Sequence, residues 1–190
     1  ELEQYITRKP NQKRLQDQLQ TLRGSRSELM QAFEQAAGKE FALVELSNGN
    51  YLGFLSLQDS TSLQNNLTDL GESFGDGQYR FKYENMLYAL YGDAFSNFTR
   101  PYFTLVDDVL VIANQSATLS DFKRRWNNSD LLTGTLGFKN YERLQGNDAN
   151  VTFFMHTKNA SRMLGSSLIA PYARNFRNST DYGFQDFYSW

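Results

Sequence analysis

The sequence predicts an α+β fold: an antiparallel sheet built from repeated strand-strand-helix units, with helices packed on one face. Three observations predict it. A hairpin followed by a short amphipathic helix occurs at residues 41–70 and again at 101–126, the two copies about 56 residues apart. The apolar period changes from about 3.6 to 2 near Gly38. A hydrophobic share of 40%, with 15 Phe, 11 Tyr and 2 Trp, gives 190 residues enough apolar surface for one substantial core, so 1–190 reads as a single domain.

The first forty residues read as helical. Leu15, Leu19 and Leu22 share one face, and Leu29, Phe33 and Ala37 continue it after a break at Gly24. Gly38 reads as the helix stop and Phe41–Leu46 as the first strand. Asn48-Gly49-Asn50 accepts positive φ, which predicts a tight turn that folds Tyr51–Leu57 back antiparallel. Ser60 or Ser62 is placed to cap a helix with Leu63, Leu67 and Leu70 as its stripe.

The glycines of 71–77 read as a loop, Tyr79–Tyr83 as a half-exposed strand, and Met86–Tyr91 as its partner strand. After a loop over 92–100, the second hairpin turns at Asp107-Asp108, and its nearly continuous apolar arms predict a central place in the sheet. Thr118 and Asp121 are spaced as a capping box for a helix whose face is Leu119, Phe122 and Trp126. Lys123, Arg124 and Arg125 suit its negative end. Phe138–Leu144 reads as a short helix, Val151–Thr157 as a strand, and Asn159 as the cap of a helix carrying Met163 and Leu164. Overlaying the two repeated units puts Ser60 on Ser116, Leu55 on Val111 and Leu57 on Ala113.

A net charge of −2 lacks the basic excess that a phosphate backbone attracts, so nucleic acid is not an expected partner. The chain has no Cys, which removes disulfides, thiolate metal sites and thiol nucleophiles. No apolar run approaches the roughly 20 residues that cross a bilayer. No catalytic, cofactor-binding or metal-binding set is expected.

His156 is the single histidine and reads as structural, sharing a strand face with Thr152 and Phe154. Ser120 and Lys123 match a pattern in which lysine activates a serine nucleophile, but the accompanying Ser-Asp-Asn and Lys-Thr-Gly elements are missing, which leaves a hydrolase as a remote alternative. Asp107 and Asp108 read as a solvated hairpin tip, short of the spaced ligands that calcium needs. The Asn-x-Ser/Thr sequons at Asn66, Asn97, Asn114, Asn127, Asn150, Asn159 and Asn178 are read as the product of an Asn-rich composition.

The segment 171–190 differs from the rest. Tyr172, Phe176, Tyr182, Phe184, Phe187, Tyr188 and Trp190 alternate with polar groups and have no aliphatic company, so they form the candidate ligand surface, suited to a glycan or a peptide. A chain that starts at Glu1 and ends at Trp190 within an aromatic run reads as an excised part of a longer protein.

Gly38-Lys39-Glu40-Phe41-Ala42-Leu43-Val44 after a helix, Tyr51 to Asp59 leading into one, Tyr102 to Asn114, and Asn150 to Phe154 together resemble a bacterial family, domain-of-unknown-function family 3352. The resemblance covers roughly residues 30 to 160. It implies an exported protein, periplasmic, cell-surface or secreted, with a signal or lipid anchor upstream of Glu1, and no catalytic residues. With that resemblance, the expected role is a non-catalytic scaffold or protein-interaction domain, with glycan or peptide binding as the alternative.

Overall fold

The computed structural model describes residues 17, 20, 21, 23–143, 152, 154–156, 159, 160, 170, 171 and 174. The chain divides into two compact units, Glu1–Val44 with Tyr51–Leu119 and Glu45–Asn50 with Ser120–Trp190. The elements in order are α1 (Ser27–Ala36), β1 (Ala37–Glu45), β2 (Tyr51–Leu57), α2 (Ser60–Asn65), α3 (Leu67–Leu70), β3 (Gly71–Gly75), β4 (Gln78–Phe81), α4 (Met86–Tyr91), β5 (Tyr102–Val106), β6 (Val109–Ala113), α5 (Ser116–Asn127) and α6 (Leu136–Glu142). The fold is α+β, with one six-stranded antiparallel sheet of order β1-β2-β6-β5-β4-β3.

The register places the core. Leu55 pairs with Leu110, Gly53 and Phe103 both pair with Ile112, Leu105 pairs with Leu110, and Tyr79 pairs with Phe103, so these residues share one face. Against that face pack Leu29, Met30, Phe33 and Ala36 of α1, Leu63 of α2, Leu70 of α3, Met86 and Leu87 of α4, and Phe95 and Phe98 beyond it. The Phe33 ring meets Phe81 edge-on, and Phe81 lies 4.4 Å from Phe103. On the opposite face Leu52, Val111, Ala113 and Thr104 are also buried. Burial on both faces explains the continuous apolar sequence of β5 and β6, which do occupy the middle of the sheet.

The two hairpin-helix units share an order of elements but not a facing. Leu55 and Leu57 belong to the helix-covered core, whereas Val111 and Ala113, one residue out of phase with Leu110 and Ile112, point to the opposite face. The sequence overlay therefore equates positions on opposite sides of the sheet.

Several expectations are corrected by local chemistry. Gly38 does not stop a helix: α1 ends at Ala36 and Gly38 lies inside β1, where a Cβ would come within 2.2 Å of Ser56 Oγ. The glycine stretch after α3 is a hairpin, because Gly75, Asp76 and Gly77 take positive φ and turn β3 into β4. Gly71 belongs to β3 and touches Phe103, leaving no room for a side chain. Met86–Tyr91 is the helix α4, since a short apolar run fits a buried helix as well as a strand.

The helix starts also differ. Asp59, not Ser60 or Ser62, caps α2 by accepting from the Ser62 N–H. The Leu63–Leu70 stretch is two short helices that meet at Asn66. The first break falls at Arg26, with Gly24 helical. Because α5 begins at Ser116, Thr118 lies within it and is buried rather than capping, and Asp121 faces arginines. Thr152 and Phe154–His156 are not in a strand, whereas Asn159 and Ala160 are helical and both donate their N–H groups to the His156 carbonyl. Leu15, Leu19, Leu22, Met163 and Leu164 lie outside the described residues.

Candidate interaction surface

The positions singled out for chemistry fall on three parts of the fold: the second hairpin, α5 and the segment around His156. Ser60 donates its hydroxyl to Asp108 at 2.7 Å, and the Leu57 N–H donates to the Asp108 carbonyl, which ties the acidic tip of the second hairpin to the end of β2. Asp107 supplies the positive φ of that turn. Ser120 and Lys123 lie on α5, beside the cluster in which Asp121 meets Arg124 and Arg125, and Arg125 also meets Asp130. Hydrogen bonds from Arg125 and Arg124 hold the Asp121 carboxyl below its usual range. His156 accepts a 3.3 Å bond at Nδ1 from the Asn159 N–H.

Asn114 Oδ1 accepts from the Tyr51 N–H, which occupies that amide in sheet structure. Among the described residues no three His, Cys, Asp or Glu side chains group as metal ligands. Also among them, no helix is long and apolar enough to cross a membrane. Tyr172, Phe176, Tyr182, Phe184, Phe187, Tyr188 and Trp190, the expected ligand surface, lie outside the described residues.

A cavity of about 350 Å³ opens at the start of α1, with Arg26, Glu28, Asp69, Lys82 and Tyr83 in its wall. Two cations face two anions there, and Lys82 Nζ already donates to the Thr68 carbonyl. The mixed charge selects no ligand class.

The surface that stands out is the outer edge of β1. This nine-residue strand ends the sheet, and no described strand pairs beyond it. Phe41, Leu43 and Val44 are 48%, 38% and 39% exposed, three large apolar side chains in four positions. The Glu40 N–H donates to Ser56 Oγ at 3.2 Å, and that hydroxyl donates to the Glu40 carbonyl at 3.0 Å, so both backbone groups of Glu40 point to β2. Near the turn the Leu46 N–H likewise donates inward, to Asn50 at 2.8 Å. Backbone direction alternates along an antiparallel strand, so Lys39, Phe41, Leu43 and Glu45 turn their N–H and C=O groups outward.

Side chains of the same odd positions lie on the helix-bearing face. A Cβ at Gly53 would meet Leu43 at 3.4 Å, and the Phe41 ring lies 5.3 Å from Phe95 and 6.5 Å from Tyr91. Burial, reinforced by Glu34, pushes the Tyr91 hydroxyl up to about 12. Sequence reading had placed 41–46 in a strand but not at an edge. The strand has no Pro, and its charges, Lys39, Glu40 and Glu45, flank the apolar run 41–44.

Comparison with protein-family models, with curated proteins and with solved structures found no match to this chain.

Proposed function

We propose that this chain is a non-catalytic protein-interaction domain, a scaffold unit of an exported bacterial protein, acting through the outer edge of β1. The exported setting rests on the resemblance of residues 30–160 to domain-of-unknown-function family 3352. The single observation that supports an interaction role is an edge strand whose outward backbone groups stand beside exposed Phe41, Leu43 and Val44. Main-chain hydrogen bonds supply affinity in strand addition, and alternate side chains supply selectivity. A long apolar edge that no described strand covers is an aggregation site unless it is used, which supports an interaction role.

The test is photocrosslinking in the cells that make the protein. A photoreactive phenylalanine analogue replaces Phe41 in one strain and Phe74, the exposed aromatic of β3, in another. A protein adduct of defined mass at position 41 and none at position 74 is the expected result. No adduct at 41, or equal adducts at both, overturns the reading.

A further inference from the structure

We infer that the partner of the β1 edge is a second copy of the same chain, paired antiparallel about a two-fold axis at Ala42, which joins two sheets into one continuous sheet. This inference rests on the interaction reading of the β1 edge and names its partner. The argument comes from the order of residues along the strand, Ala37-Gly38-Lys39-Glu40-Phe41-Ala42-Leu43-Val44-Glu45.

Only residues with outward backbone groups make the hydrogen-bonded pairs across a new antiparallel junction, so odd positions must meet odd positions. Registers centred on Glu40, Phe41, Ala42 or Leu43 meet that condition, and centring on Glu40 sets Lys39 against Phe41. Centring on Ala42 sets Lys39 opposite Glu45 at both ends, with Phe41 opposite Leu43 twice between them. On the other face the axis passes through Ala42 itself, where two methyl groups meet, with Glu40 opposite Val44 on either side.

Centring on Phe41 instead sets Lys39 against Leu43 and leaves Glu45 against Ala37. Centring on Leu43 sets Phe41 against Glu45. All three alternatives to Ala42 put a charge opposite an apolar side chain on the helix-bearing face. On the helix-bearing face the Ala42 register, alone of these, matches charge to opposite charge and apolar to apolar, and it does so with one sequence read in both directions, as a two-fold interface requires. It also carries the aromatic patch of Phe41, Tyr91 and Phe95 across the axis onto the second copy's Leu43.

Charge reversal tests the register. The unaltered chain is expected to show a concentration-dependent dimer by sedimentation velocity. Lys39→Glu makes the two end pairs Glu-Glu, and Glu45→Lys makes them Lys-Lys, so each variant alone should self-associate at least about tenfold more weakly. Mixed together, the two variants restore Lys opposite Glu at both ends, and native mass spectrometry should find the heterodimer in excess over either homodimer.

The double variant Lys39→Glu/Glu45→Lys should dimerise like the unaltered chain. Recovery in the mixture also shows that both single variants are folded. A chain that stays monomeric at its highest soluble concentration overturns the inference, as does a dimer indifferent to both reversals. If the Phe41 crosslink then joins a different protein, self-pairing alone falls; if Phe41 gives no adduct, the interaction reading falls too.

Discussion

The two edges of the sheet, β1 and β3, are built in opposite ways. Strand β3 is five residues long, begins and ends in Gly, and shifts register between Ser73 and Gly75. Its Glu72 is engaged by Arg100 at 3.0 Å, and the same arginine donates to the Phe81 carbonyl. Short length, a bulge and a charge are the usual means of closing an edge. Strand β1 has nine residues, and exposed apolar side chains fill its second half. Among the described residues one edge is finished and the other is open, which gives growth of the sheet a preferred direction.

The closed edge depends on how β3 is held to the core, and the largest expected effect tests that hold. Phe103 is fully buried, stacked 5.5 Å from Tyr79, and its ring touches Gly71. Phe103→Ala should cost about 3–5 kcal/mol in denaturant unfolding. Amide exchange should then rise in β3 and β4 more than in β1.

Gly71→Ala is the next in size. Its Cβ would stand 2.7 Å from Phe103 and 2.9 Å from Tyr79, so the strand must move, at about 1–3 kcal/mol. An unchanged unfolding midpoint would show that β3 is held less tightly than this packing implies.

At the open edge the sharpest handle is alkaline pH. The Tyr91 hydroxyl ionises at about 12 in the folded chain, above its ordinary 10, because burial and Glu34 oppose the charged form. A raised acid of this kind gives stability that is full below pH 10 and lost as pH rises through about 12. Thermal midpoints measured from pH 9 to 12 should therefore fall more steeply in the unaltered chain than in Tyr91→Phe.

The smallest effect on stability compares the edges directly. Leu43→Lys and Phe74→Lys each alter an exposed side chain, and each should change unfolding free energy by no more than about 0.5 kcal/mol. Only Leu43→Lys should weaken self-association in sedimentation. Equal loss in both variants would erase the distinction between the edges.

Much of the architecture was legible because turns and buried strands have strong local signals. Asn48-Gly49-Asn50 predicted the first hairpin, and Gly49 takes the positive φ that its turn needs. The apolar run of Val109–Ala113 predicted a central strand, and β6 lies between β2 and β5. Three features escaped because tertiary packing decided them. Gly71 is extended rather than a breaker because a ring occupies its side-chain space. Met86–Tyr91 is helical although its apolar run has no distinguishing period. The run Phe41–Val44 reads as a strand and lies at an edge, since neighbours along the chain do not specify neighbours across the sheet.

The pairing of β2 with β6 has a kinetic consequence. Each hairpin closes locally, but Leu52 must find Ala113, about 60 residues away, to join β1-β2 to the other four strands. Loop-closure entropy predicts that this seam forms after the first hairpin, which until then would have β2 unpaired on one side and β1 on the other. Synthesis that outpaces closure of the seam would present two sticky margins per nascent chain. Refolding yield should accordingly fall with concentration, and a substitution that speeds the meeting of β2 and β6 should recover it.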